Sequence, residues 1–383
     1  MQRRLLWVVV LFAVTLAAAV SCKKMNSGTK STPGSLTSTS DTPIPGGFTP
    51  AELRSFAALR PIDTHTHVRR VEPEFNAMLD RLNVQLLDIL LVDDRNPEEN
   101  NLQTERQGAE AFIRSRNGRA VLCTSFDPFK INDPNFATSA IRDLDNDFAN
   151  GAIAVKLWKN VGMEIKDAKG NYILPDDPAL NSIYNDIAAH NKTLITHLAD
   201  PDSAWAPPDP ASPDYSYYAG APDWYLYGRK DAPSKKVILA ARDHILDQHP
   251  NLRVVGAHLG SMEANLPALA NHFDRYPNFA VDLAGRLPYL ALQPRDKAIA
   301  FILKYQDRLI YATDLELHDS DNVKARNRFW EDSYARDWRF LATSHAVQFE
   351  TVKAQGLTLP ESVLRKIYHD NAVHWFPGII PSH

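Results

Sequence analysis

Cysteine is nearly missing from this chain: Cys22 and Cys123 are the only two in 383 residues. A disulfide framework is thereby excluded, and a chain of this length can bury enough apolar surface to fold without one. Dense blocks of lysine and arginine are missing as well, and the net charge is −4. That balance argues against a nucleic-acid partner. No glycine-rich loop follows the first apolar, strand-like run, which argues against a phosphate-cradling nucleotide site. Long apolar runs are scarce too. The most apolar stretch, "LLWVVVLFAVTLAAAV" at 5–20, falls short of the ~20 residues that a membrane-spanning helix needs.

That stretch has another meaning. Arg3 and Arg4 precede it, and small residues lead from it to Ser21–Cys22. A basic start, a short apolar run and small residues form a secretory signal. "AVSC" resembles a bacterial lipobox, which implies that residues 1–21 are removed and that Cys22 is lipidated as the mature N-terminus. An uncleaved anchor with a chance cysteine is the alternative. Residues 22–48 are rich in Ser, Thr, Pro and Gly and read as a flexible tether. The expectation is a bacterial cell-envelope protein, periplasmic or on the outer surface. It is held to the membrane through Cys22 and carries one folded domain over 49–383.

Within that domain, eight short apolar runs alternate with longer helical patterns. They lie at 60–65, 84–94, 120–126, 151–158, 193–198, 252–258, 279–285 and 308–314. Several are apolar almost throughout, as in strands covered on both faces. "QHPNLRVV" and "RYPNFAVD" each stop a helix before proline and open a strand. Eight β–α units in order predict an α/β fold, a (β/α)8 TIM barrel, with an open doubly wound sheet as the alternative. Two regions break the repeat. Residues 199–235 are rich in Pro, Tyr and Trp and read as a pocket wall or as a packed surface loop. Residues 318–341 follow the eighth strand and are expected to wall the opposite side.

A barrel carries its active site at the C-terminal ends of its strands. The first strand, in "PIDTHTHV", ends with His65 and His67, which share a face at a spacing of two. Asp63 has the same parity and is expected to orient a ligand histidine. The fourth strand carries Lys156 and Trp158, the fifth ends at His197, the sixth at His258 and the eighth at Asp314; Arg286 follows the seventh. Converging imidazoles suit zinc or a similar metal, with His197 and Asp314 completing the cage around an open water position. Burying these groups without a partner would be costly. Asp314 is expected to bind the metal and take a water proton. His258 is expected to serve as a polarising group, a base or a further ligand. Arg286 suits a bidentate grip on a substrate carboxylate, or a pair with Asp282 or Glu316. Trp158 and Trp224 either line the pocket or pack beside it. His244, His249, His272, His345, His374 and His383 are assigned structural places.

The stretches "IDTHTHV", "ITHLAD", "VVGAHLGS" and "IYATDLE" together resemble the amidohydrolase superfamily. The likeness is to the amidohydrolase-related branch that includes aminocarboxymuconate-semialdehyde decarboxylase. It runs over about residues 59–376, and "YHDNAVHWF" is similar to that branch's C-terminal helix. The resemblance implies a divalent metal, usually zinc, on His65, His67, His197 and Asp314, with His258 acting on the substrate or the attacking water. "AVKLW" also resembles the two-metal members, in which Lys156 would be carboxylated and bridge two ions. One ion is the favoured expectation, with Lys156 then facing a substrate carboxylate or Asp314. The implied function is a metal-dependent hydrolase that cleaves an ester, lactone or amide of a small molecule, with His258 steadying the oxyanion. A non-oxidative decarboxylase or hydratase on the same site is one alternative. A non-catalytic surface binding protein on a degenerate barrel is another. The oligomeric state is not legible in the sequence.

Overall fold

The computed structural model describes residues 46–93 and 102–380. The signal at 1–21, Cys22 and most of the tether lie outside the described residues, as do Asp94 and His383.

Eight parallel strand positions close into a barrel. β1 (Ile62–Val68), β2 (Gln85–Ile89), β3 (Ala120–Ser125) and β4 (Ala154–Leu157) form the first half. β5 (Thr193–Thr196), β6 (Arg253–Gly256), β7 (Phe279–Asp282) and β8 (Leu309–Ile310) form the second. Each pairs in parallel with the next. The ring closes through a short continuation of the eighth strand, β9 (Leu315–Leu317), which pairs with β1. Between β8 and β9 the chain stays on β1: Thr64 N donates to Tyr311 O at 3.2 Å, and Asp314 N to His65 O at 2.8 Å.

All eight expected strands are present, and most stop short of the expected ends. The stretch read as 279–285 is a strand only over 279–282, and that read as 308–314 only over 309–310. The trimmed residues leave the ladder to present side chains at the barrel mouth. At Asp314 the backbone turns left-handed, with φ 66°, and His258 does the same at 59°. Such φ values strain non-glycine residues and concentrate at functional sites.

Helices cover the outside, among them Pro73–Leu82, Phe136–Ala149, Lys235–Gln248 and Leu266–Arg275. Their apolar faces pack on the outward side chains of the strands to form the larger core. A second core fills the barrel itself with Ile62, Leu87, Val121, Ile195, Val255 and Ile310. Trp375, Phe376 and Ile379 complete that core from the C-terminal segment.

The two irregular regions also take form. Residues 199–235 fold into short turns, including the helix Tyr215–Gly220. After the eighth strand come the long helix Val323–Ala342 and an antiparallel hairpin, β10 (Ala346–Phe349) and β11 (Val352–Gln355).

Candidate metal centre

Four imidazoles and one carboxylate meet at the barrel mouth. His65 and His67 project from β1 with ring centroids 5.3 Å apart, and His65 lies 4.9 Å from His258. His197 and His258 are closer, at 4.2 Å. Asp314 Oδ1 sits 3.3 Å from both His65 Nε2 and His67 Nε2, and Oδ2 sits 3.9 Å from His258 Nε2.

Each ring is turned by an acceptor behind it. His65 Nδ1 donates to Asp282 Oδ2 at 2.9 Å, and His67 Nδ1 to Ile89 O at 2.9 Å. His258 Nδ1 donates to Ala284 O at 2.9 Å, and His197 Nε2 to Asp200 Oδ1 at 3.3 Å. A neutral imidazole has one N–H, so the opposite nitrogen of each ring is a bare lone pair. Those four lone pairs point inward. His258 Nε2 and His197 Nδ1 stand 3.2 Å apart, an arrangement that repels unless a cation or a proton lies between them. The protonated alternative is opposed by burial, which lowers His65 and holds His197 and His258 well below the usual imidazole range. At Asp314 burial works against the charge. Positive charge or an N–H on the side of His65, His258 and His67 outweighs it and holds the carboxyl well below its usual range, so Asp314 ionises where a cation would gather. Neutral nitrogens and an ionised carboxylate are what a divalent cation takes. His65, His67 and Asp314 form a ready triad for one.

The carboxylate that orients His65 is Asp282, not Asp63. Asp63 accepts from the His65 backbone N at 3.2 Å, and its two oxygens take Thr313 N, Thr313 Oγ1 and Tyr334 Oη. It therefore pins the strand break that carries Asp314. Burial pushes its carboxyl up to about 7 even so. Asp282 accepts from His65 Nδ1, from His258 N at 2.7 Å and from Ala284 N at 3.1 Å. An acid ending "FAVD" is the signal that points to it. Asp200 had none, since its pairing with His197 depends on the turn after β5.

Lys156 is 1% exposed, and its Nζ lies 3.0 Å from His65 Nε2. Burial pulls its ammonium down, with Asp282 and Asp314 pulling the other way. It is not among the residues that line the main cavity and borders a smaller void with Trp158. Trp158 and Trp224 likewise do not line the main cavity. Their rings pack edge to face at 5.0 Å, and Trp224 lies under the Lys159 ammonium at 4.4 Å. Arg286 pairs with neither Asp282 nor Glu316; its nearest carboxylate is Glu263, at 4.0 Å.

Above the cage opens a cavity of 380 Å³. His197, His258 and Asp314 form part of its floor. Tyr217 from the 199–235 loop walls one side, and Phe329, Arg336 and Phe349 from the segments after the eighth strand wall another. Asp314, with its side chain 39% exposed, is open to this space.

A family profile described as Amidohydrolase matches residues 62–378. This chain belongs to the amidohydrolase family.

The structural relatives of this amidohydrolase include a dihydroxybenzoic acid decarboxylase from a Polaromonas species, solved with bound manganese and the inhibitor 2-nitroresorcinol. It is 13% identical, with a TM-score of 0.50 over 83% of this chain and 97% of that one. A 5-carboxyvanillate decarboxylase from Novosphingobium aromaticivorans is 14% identical, with a TM-score of 0.46 over 80% of each chain. A probable 2-pyrone-4,6-dicarboxylic acid hydrolase from Acinetobacter baumannii is 12% identical, with a TM-score of 0.45 over 83% of this chain and 99% of that one. At these identities the likeness is one of fold. The search of curated proteins finds no match.

Proposed function

We propose that this amidohydrolase is a metal-dependent, non-oxidative decarboxylase of a small carboxylic acid. The observation that carries the metal dependence is the convergence of four inward imidazole lone pairs, that of His65 shared with Lys156, and Asp314 near the floor of an open cavity. His65, His67, His197 and Asp314 would hold the ion, and His258 has a lone pair to add. Zinc suits nitrogen donors, and manganese, the metal bound in the Polaromonas relative, is the other candidate. A bound ion supplies Lewis acidity at the reacting group. Decarboxylation is supported by the fold shared with that Polaromonas enzyme, at a TM-score of 0.50. It also agrees with the resemblance to the aminocarboxymuconate-semialdehyde decarboxylase branch.

The chain's own residues have definite parts. Loss of carbon dioxide breaks one carbon–carbon bond and requires a proton on the carbon left behind. Asp314 belongs to the cage and is also open to the cavity, so the ionised carboxylate is placed to take a proton from water and pass it to that carbon. His258 donates its single N–H to Ala284 O and offers a lone pair inward. Steadying an oxyanion would require protonating that ring, which burial opposes. Hydrolysis of an ester, lactone or amide is the second reading, favoured by the ionised Asp314 beside an open position. The complete set of donors at the barrel mouth argues against the non-catalytic reading.

The test is a panel of aromatic carboxylic acids and of esters, lactones and amides, run in ¹⁸O-labelled water with the metal content measured. Carbon dioxide release without label in the organic product supports the proposal. Turnover only of the esters, lactones or amides, with one label in the carboxyl group of the acid product, replaces it with hydrolysis. His65→Ala and Asp314→Asn are expected to abolish turnover.

We also infer from the leader sequence that Cys22 tethers the enzyme to a bacterial membrane. Labelled fatty acid should be incorporated into the full chain and not into Cys22→Ala.

A further inference from the structure

One ammonium gathers the 199–235 loop at three points. Lys159 follows β4, and its side chain is 2% exposed. Its Nζ donates to both oxygens of Asp200, at 2.9 and 2.7 Å, and to Tyr217 Oη at 2.7 Å. The Trp224 ring lies against it at 4.4 Å. Asp200 belongs to the start of the loop, Tyr217 to its helix and Trp224 to the turn that follows. An ammonium has three N–H donors, and these three oxygens use all of them. None is left for a ligand in the cavity.

The same contacts reach the metal centre. Asp200 Oδ1 accepts from His197 Nε2 at 3.3 Å, which leaves His197 Nδ1 facing inward, 3.2 Å from His258 Nε2. The other three rings are turned by the barrel itself: His65 by Asp282 in β7, His67 by Ile89 in β2 and His258 by Ala284 just after β7. His197 is the one turned by the loop. Asp200 is 2% exposed, and a carboxylate so buried is costly without a cation. Lys159 supplies it. The turn between His197 and Asp200 also carries Ala199 at φ 62°, a strained value that persists only where the surroundings hold it.

We propose that Lys159 is a positioning residue of the metal centre: through Asp200 it fixes the His197 ring, and through Tyr217 and Trp224 it makes that ligand depend on the seated aromatic loop. This rests on the metal-binding reading above. Lys159 acts through Asp200 and not on the ion, because its donors are all taken within the protein. An acceptor behind a ligand histidine sets both the direction of the ring and its basicity. A loop that lifts away takes Asp200 with it and leaves His197 free to turn. Metal binding and loop order are then linked by one coupling free energy, so an ion on His197 steadies the loop as much as the loop steadies the ion.

The experiment titrates cobalt(II) into the metal-free full chain and reads both the affinity and the visible absorption of the ion, which depends on the number and geometry of its ligands. Lys159→Met should weaken cobalt binding by about 10- to 100-fold and shift the absorption. Asp200→Ala should do the same. The double variant should lose no more than Asp200→Ala alone, because the two residues act in series. Hydrogen exchange in 199–235 should slow on cobalt loading in the wild type and not in Lys159→Met. Tyr217→Phe changes a residue that is 45% exposed and should weaken cobalt binding by about threefold, the usual contribution of one hydrogen bond. A Lys159 that is merely structural would lower the melting temperature in Lys159→Met and leave affinity and absorption as in the wild type, and that result overturns the proposal. So do losses that add in the double variant, and loop exchange in the wild type that ignores cobalt. Should Lys159→Met fail to fold, the double variant, which strands neither charge, and Tyr217→Phe replace it; full cobalt affinity in both overturns the proposal. Failure here is separable from failure of the metal reading. A wild type that takes up no metal overturns both, and tight cobalt binding that none of these variants alters overturns this proposal alone.

Discussion

Asp282 accepts three N–H donors on two oxygens, from the His65 ring, the His258 backbone and the Ala284 backbone. All three neighbours are donors, so the NH2 of an asparagine there has nothing to bond and must face a donor. Asp282→Asn is therefore expected to weaken metal binding by about 10- to 100-fold while the barrel still folds. Competition with a chelator of known affinity measures it, and unchanged metal affinity would count against the role given to Asp282. Arg69 poses a stability question at the same scale. It is buried between Asp88 and Glu105, bonding Glu105 at 2.6 Å and both Asp88 oxygens at 3.2 Å. Arg69→Ala strands two buried carboxylates and is expected to cost about 3–5 kcal/mol, read by urea denaturation. His65 and His67 were legible as a pair because a strand has a period of two. Asp282, Asp200 and Lys159 were harder to see, since single charged residues at strand ends reveal no partner until the ends are brought together.

Among the elements, the turn after β6 does the most to aim a site residue. His258, Leu259, Gly260 and Ser261 all have positive φ, and the turn packs against β7. Gly256 permits that approach. A Cβ there would lie 2.8 Å from Gly260 Cα and 2.8 Å from the Phe279 ring. Gly256→Ala is expected to destabilise the protein by about 1–3 kcal/mol and to lower metal content by displacing His258. Thermal melting and metal analysis test the two effects together; a loss of stability with full metal content would show that the turn does not position the cage. The strand positions were readable from apolar runs bounded by proline and glycine. Their C-terminal limits were not, because the sequence stays apolar or polar in the same way whether or not a residue remains in the ladder. The hairpin β10–β11 was absorbed into no expected strand for the same reason: "AVQF" and "VKAQ" are only four residues each.

At the scale of the whole molecule, the barrel is closed below by the segment 372–379. Trp375 is 3% exposed and packs with Phe376 and Ile379 among the inward strand residues, while its Nε1 donates to Asp307 O at 3.2 Å. Trp375→Ala opens a large hole in the floor and is expected to cost about 3–5 kcal/mol, measured by denaturant midpoint. The cage couples to global stability from the other end. An ion that binds the folded chain alone raises stability by RT ln(1 + [L]/Kd), about 4 kcal/mol at a thousandfold excess over Kd. Adding zinc or manganese should raise the melting temperature, and a chelator should reverse the gain.

The sequence by itself determined the eight strands, their order, the barrel they build and the histidines and aspartate at the mouth. Apolar periodicity and the residue types at strand ends are local properties, and a parallel β–α repeat leaves few ways to assemble. Only the tertiary structure decided which nitrogen of each ring faces inward, which acid turns His65, that Trp158 and Trp224 stand behind the wall, and that Arg286 pairs with neither Asp282 nor Glu316. Those are relations between side chains hundreds of residues apart in some cases, such as His65 with Asp282. They depend on distances of a few ångströms that no spacing along the chain encodes.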